Sequence, residues 1–289
     1  MPNAVEPPSE SPTHLEAALT LLADPDGPPW RPLAGGTDLM VQLSGEIGKA
    51  PGRVLDIWGL DELRGIAVSG DALVIGALTT YTELRGSPVV ADVVPALAEA
   101  AATIGAAQIQ NRGTIGGNVI NASPAGDTLP VLLALGAEMV VASSAGERTV
   151  GAADFWPSYR TTARRDDELL LRIRIPLAAD RQVRFRKVGT RRAQAISKVV
   201  MALAWQASDG APWADVRLAL GSVAATTVRA SAAEQVLEGS LPTREVADAA
   251  TAALTGELEP IDDVRSTAEY RRTVAGRVLH RLLRDAGGW

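Results

Sequence analysis

The sequence predicts an α+β fold built from more than one packed unit, and three observations carry that expectation. The chain has 289 residues and is 46% hydrophobic, enough apolar material for two or three cores. Its first half intersperses short strand-like runs with helical ones around two glycine-rich turns. Its second half gives strands first and helices afterwards, the order of an α+β layer arrangement.

The elements follow in chain order. Residues 1–12 are rich in Pro and Ser and read as a disordered or extended terminus. Over 14–23, Leu15, Ala18, Leu19 and Leu22 share one helical stripe, with Thr13 the expected N-cap and Pro25, Gly27, Pro28 and Pro29 the stop. A strand over 31–34 feeds the first glycine turn, Ala34-Gly35-Gly36-Thr37-Asp38-Leu39, and a helix over 39–43 leaves it. Residues 54–58 read as a strand, and 66–68 with 73–76 as a hairpin around Ser69-Gly70-Asp71. Thr80 and Glu83 have capping-box spacing, and the Ala-rich stretch 95–103 reads as a helix.

The second glycine turn is Arg112-Gly113-Thr114-Ile115-Gly116-Gly117-Asn118, trailed by Ser123-Pro124-Ala125-Gly126-Asp127. Asp127 is placed to cap a helix through Leu129, Leu132, Leu133 and Leu135, with Gly136 as its C′ residue. Strands are expected over 138–142 and 148–150, and over 171–175, where apolar residues alternate with Arg172 and Arg174. The composition shifts near 177–182, which marks a domain boundary. Beyond it lie strands over 183–188, 198–207 and 216–223, then helices over 231–239 and 243–255. Ser231 with Glu234 forms an expected capping box. A last helix starts at Ser266, with Tyr270, Val274, Val278 and Leu282 on its apolar face.

Composition excludes several functions. The net charge of −6 and pI of about 5.1 argue against nucleic acid or an anionic membrane as partner. Without cysteine the chain holds no thiolate-bound Fe–S cluster and makes no disulfide, and His14 and His280 alone make no histidine zinc site. The N-terminus lacks a basic region followed by an apolar one, and no apolar run approaches the ~20 residues of a membrane span, so a cytoplasmic protein is expected. The pairs Arg164-Arg165, Arg191-Arg192 and Arg271-Arg272 read as solvated faces or an acidic-partner surface. No nucleophile–base pair stands out, so a bound cofactor would carry any chemistry.

The two glycine turns carry the functional signal. Glycine lets backbone N–H groups approach an anion, and successive N–H groups form a concave phosphate nest. Two such turns, about 80 residues apart, suit a ligand with two phosphates. A mononucleotide, a dinucleotide and a sugar phosphate all remain open, although both the Rossmann and the P-loop patterns are missing. Each motif residue also has a plain structural reading. Gly35-Gly36 can be an ordinary turn, Thr37, Asp38 and Asp127 simple caps, Asn118 a loop brace and Lys187 a solvated strand residue.

These residues resemble the FAD-binding medium subunit of molybdenum hydroxylases of the carbon monoxide dehydrogenase and xanthine dehydrogenase type. The likeness extends to Arg186-Lys187-Val188-Gly189-Thr190-Arg191-Arg192-Ala193 with Ile196-Ser197, and to the stretch from Ser266 through Tyr270-Arg271-Arg272. It implies an α+β, two-subdomain FAD-binding (PCMH-type) domain over 13–178, split near 58, and a smaller α+β C-terminal domain with an antiparallel sheet over 183–289. It implies that Leu33, Ala34, Gly35, Gly36, Thr37, Asp38 and Leu39 hold the FAD pyrophosphate together with Thr114, Gly117 and Asn118. Ile104, Ile109, Gly113, Ile120 and Ser123 match nearby positions, Asp127 the ribose and adenine side, and Leu170 and Lys187 the flavin side. It further implies a [2Fe–2S] small subunit and a molybdenum cofactor large subunit as partners, in a dimer of heterotrimers. The alternatives are a free-standing FAD-dependent oxidoreductase and a non-redox binding module on the same fold.

Overall fold

The computed structural model describes residues 7–43, 50–191, 194–208 and 210–289. Three sheets organise them. The first is wholly parallel, in the order β1-β3-β2, from β1 (Ser9–Glu10), β2 (Trp30–Leu33) and β3 (Arg53–Asp56). Thus Ser9–Glu10, expected in a disordered or extended terminus, is a strand held against Val54 and Leu55. Helix α1 (Leu15–Leu22) buries Ala18, Leu19 and Leu22, and α2 (Leu39–Leu43) leaves the first glycine turn. The cap of α1 differs from expectation: His14 occupies the N-cap without a side-chain bond, and the Thr13 hydroxyl faces the His14 ring at 3.2 Å.

A second, five-stranded antiparallel sheet contains β4 (Ile66–Ser69), β5 (Ala72–Gly76), β6 (Glu138–Ser143), β7 (Gly146–Gly151) and β8 (Leu169–Pro176), in the order β4-β5-β8-β6-β7. Between β5 and β6 the chain forms α3 (Tyr81–Gly86), α4 (Pro88–Val93), α5 (Pro95–Ala102), α6 (Ala107–Gln110), α7 (Ile115–Asn121) and α8 (Leu129–Ala134), and α9 (Ala152–Phe155) follows β7. The capping box of Thr80 and Glu83 is present. Asp127 caps nothing; Thr128 takes the N-cap of α8, and Gly136 adopts φ +64° just past its end.

The third sheet, in the order β12-β11-β10-β9, is antiparallel and comprises β9 (Arg181–Val188), β10 (Val199–Gln206), β11 (Ala214–Gly221) and β12 (Val228–Arg229). Helices α10 (Ser231–Leu237), α11 (Arg244–Glu257) and α12 (Ala268–Gly287) cover one face. Strand β10 is buried on both faces, and its alternation divides two cores. Val199, Met201, Leu203 and Trp205 pack against α10–α12, whereas Val200, Ala202 and Ala204 join the core around the second sheet. Small side chains on that second face let α8 lie close to the sheet.

Two expectations in this region are corrected, one cap and one helix start. Ser231 makes no cap bond, and Glu234 instead accepts from the backbone N–H of Leu218 and from Arg229. Helix α12 begins at Ala268, capped by Thr267, so its buried stripe is Arg271, Ala275, Leu279, Leu282 and Leu283, with Tyr270 exposed.

Candidate functional site

The first glycine turn and the second meet in space. A Cβ built on Gly35 would lie 1.6 Å from the Arg112 carbonyl oxygen, so the two main chains cross where only glycine fits. Arg112 Nε donates to Gly35 O at 3.4 Å, and the Arg112 guanidinium covers the Trp58 ring at 3.8 Å. Gly36 next to it takes φ +79°, the left-handed region.

The turns differ in what their amides do. In the second, Thr114 is the N-cap of α7 and its hydroxyl accepts from Gly117 N at 3.0 Å. Ile115 N donates to Thr79 O and Gly116 N to Ala77 O. The second turn is therefore a helix start pinned onto the segment before α3. In the first turn, the backbone N–H groups of Gly35, Gly36, Thr37 and Asp38 donate to no protein acceptor among the described residues. That row of open donors is the nest expected of a phosphate site.

Beside this junction lies a cavity of about 190 Å³, partly open to solvent. The sequence-predicted Leu33, Ala34, Gly35, Gly36, Thr37, Asp38, Leu39, Ile104, Ile109, Gly113, Thr114, Gly117, Asn118, Ile120 and Leu170 all line it. Asn118 Oδ1 accepts from the Thr128 hydroxyl at 2.6 Å, which leaves its amide nitrogen without a protein acceptor among the described residues. A Cβ built on Gly117 meets only the Thr114 hydroxyl, at 3.0 Å, and otherwise projects into open space.

Ser123, Asp127 and Lys187 do not line the cavity. Ser123 closes its own turn, its hydroxyl accepting from Ala125 N at 3.3 Å. Lys187, read from its strand as a solvated residue in the plain alternative, is 9% exposed and pairs with Asp127 at 2.5 Å. Lys187 also donates to Thr103 O, and Asp127 Oδ2 accepts from the Thr103 hydroxyl at 3.3 Å. Asp127 Oδ1 is buried with no partner. Burial pushes the Asp127 carboxyl pKa up despite the opposing pull of Lys187.

Sequence reasoning missed several lining residues, among them Arg31, Ala77, Tyr81, Asn121, Arg164 and Leu169. The Arg164-Arg165 pair is not simply a solvated face. Arg164 is largely buried and donates to the carbonyls of Arg165, Asp166 and Glu168. Burial, and then the like charge of Arg31, lower its pKa. Likewise Arg271 is buried, bonded to Ser222 O and Asp263. Nothing in the local sequence separates these arginines from exposed ones.

Comparison with known proteins decides the family. Residues 6–178 match the FAD binding domain in molybdopterin dehydrogenase, and residues 184–286 match the CO dehydrogenase flavoprotein C-terminal domain. This chain belongs to the FAD-binding medium subunits of molybdenum hydroxylases. As such a medium subunit it is 34% identical to the carbon monoxide dehydrogenase medium chain of Hydrogenophaga pseudoflava, covering 88% of each chain. It is 34% identical to the glyceraldehyde dehydrogenase medium chain of Sulfolobus acidocaldarius, covering 90% of this chain and 91% of the relative. The medium subunit also superposes on a solved structure of quinoline 2-oxidoreductase from Pseudomonas putida with a TM-score of 0.90 at 29% identity, covering 98% of both chains. FAD is the cofactor of this family and the protein is an oxidoreductase component. The donor set fits the cofactor: open N–H groups at Gly35–Asp38 suit its diphosphate, and apolar walls from Ile104, Ile109, Ile120 and Leu170 suit its rings. Among the described residues no helix is long and apolar enough to cross a membrane, and no group of residues could hold a metal ion.

Proposed function

We propose that this medium subunit holds FAD in the cavity between its two glycine loops and serves as the electron outlet of a molybdenum hydroxylase. In this reading a small subunit bearing [2Fe–2S] clusters delivers electrons from a molybdenum cofactor large subunit, and an external acceptor removes them. The assembly is a cytoplasmic dimer of heterotrimers. When bound, FAD supplies the exchange between one-electron and two-electron carriers. The absence of cysteine in this chain supports a separate Fe–S small subunit.

The observation that carries the reading is the row of unengaged N–H groups at Gly35–Asp38 opening into the same cavity as Asn118 and Thr114. The first loop binds the diphosphate through its backbone, the Asn118 amide donates from the second loop, and Thr114 keeps α7 in register through its cap. Ile104, Ile109, Gly113, Ile120 and Leu170 shape the cavity. Ser123, Asp127 and Lys187, matched to ligand positions only by resemblance, stand behind the cavity wall, where the buried Asp127–Lys187 pair braces the C-terminal domain against the FAD domain. The domain division is 13–178, split near 58, and 183–289, a reading that the separate three-, five- and four-stranded sheets support.

Purification with its visible spectrum tests this. Flavin bands, with co-purifying Fe–S and molybdenum polypeptides, are expected. A chain that neither carries nor takes up FAD overturns the cofactor assignment. A chain that binds FAD and oxidises a substrate unaided overturns the relay.

A further inference from the structure

We propose that Tyr81 is a ligand-recognition residue: its phenolic O–H donates to a phosphate oxygen of the diphosphate held between the two loops. The inference rests on the FAD reading above and adds a side chain that neither glycine motif contains.

Tyr81 opens α3 directly after the Thr80 cap. Its backbone N–H donates to Gly113 O at 3.1 Å, which ties it to the second loop. Its ring packs on that loop as well, because a Cβ added to Gly113 would meet Tyr81 Cε2 at 2.9 Å. Gly113 adjoins Arg112, whose carbonyl touches Gly35, so the phenol stands at the seam between the two turns. The residue is only 3% exposed and lines the cavity, yet its hydroxyl bonds to no protein atom among the described residues. A buried phenol ordinarily finds a partner, and the space left to this one is the cavity.

The kind of partner follows from the donor set. The open N–H groups at the seam are those from Gly35 to Asp38 and the amide nitrogen of Asn118, and the Asp38 carboxylate beside them is turned to Asn121, whose amide donates to it. A phosphate oxygen only accepts, so it suits a wall made of donors. Tyr81 stays a donor: burial first, then the charges of Asp38 and Asp127, hold its pKa well above the ordinary phenol value.

The substitution Tyr81→Phe removes the hydroxyl and keeps the ring packing. Two measurements on the purified chain decide the matter: FAD affinity by fluorescence titration after removal of bound flavin, and the phosphorus-31 NMR spectrum of the FAD-loaded protein. The expected result is binding weakened about tenfold or more, with a shift of one diphosphate resonance and an unchanged unfolding midpoint. Unchanged affinity overturns the proposal. Weaker binding with an unshifted diphosphate spectrum overturns it too, since the hydroxyl then acts elsewhere. If the unaltered chain takes up no FAD at all, the underlying cofactor reading fails, which is a different result from a variant that binds as the parent does.

Discussion

Gly35 and Gly117 face different surroundings. At Gly35 the obstacle is protein: any Cβ would overlap the Arg112 carbonyl. Gly35→Ala is expected to destabilise the fold by about 2–4 kcal/mol, because the two loops must separate, and denaturant unfolding reads this directly. At Gly117 the space belongs to the cavity, with only the Thr114 hydroxyl nearby. Gly117→Val is expected to lose FAD while keeping stability within about 1 kcal/mol of the parent, measured by flavin content and urea midpoint. Gly36→Val should also lose FAD, with added strain of about 1–2 kcal/mol from its φ of +79°. The glycines themselves were legible in the sequence, but their division of labour was not. It depends on a main-chain crossing between residues 77 positions apart, Gly35 and Arg112. The same limit hid Tyr81, which reads locally as the first residue of a capped helix.

Elements with strong local signals follow the sequence closely. Strands β4–β6, β8 and β10 alternate or run apolar, and the capping box of α3 is a local pattern. Short helices such as α6 and α7 did not announce themselves, because glycines and brief apolar runs look like a turn until Thr114 caps them. The approach to β8 is likewise set from a distance. Glu168 is buried and accepts from Arg148 Nε at 2.6 Å, Arg148 Nη2 at 2.7 Å and Arg165 N at 2.7 Å. This clamp fixes the turn that carries Arg164 to the cavity and delivers Leu169 and Leu170 to its wall. Burial alone would raise the Glu168 pKa, but the bonds from Arg148 and Arg165 outweigh it and hold it below the ordinary glutamate value. A carboxylate with a depressed folded pKa contributes stability above its unfolded pKa, and that contribution is lost as pH falls through the folded value. Glu168→Gln is therefore expected to lose about 3 kcal/mol near neutrality and to show a flatter loss of stability below about pH 4.5, in unfolding curves taken across pH.

At the scale of the whole molecule, the third sheet is joined to the rest by packing from β9, β10 and β11 and by a buried polar lock. Lys187 on β9 reaches Asp127 and Thr103 O, while Ser197 bridges Ala125 O and the Ser222 hydroxyl. The sequence placed Asp127 and Lys187 among the functional residues through family resemblance, but nothing in their spacing of 60 positions says that they pair. Their electrostatics run opposite to those of Glu168. The Asp127 pKa is raised, chiefly by burial, so the ionised carboxylate costs stability: the contribution is favourable below the ordinary aspartate value and is lost as pH rises through the folded value. Lys187 limits that cost. Lys187→Met leaves a buried, unpaired carboxylate and should destabilise the chain by about 3–5 kcal/mol at neutral pH, recovering as the solution is acidified. The pair Asp127→Asn with Lys187→Met removes the charge altogether and should regain most of the loss at neutral pH with little pH dependence. Guanidinium unfolding of the three proteins over a pH series separates the outcomes. A Lys187→Met protein equally destabilised in acid and at neutrality would mean that packing of the lysine stem, not its charge, joins the third sheet to the cofactor domain.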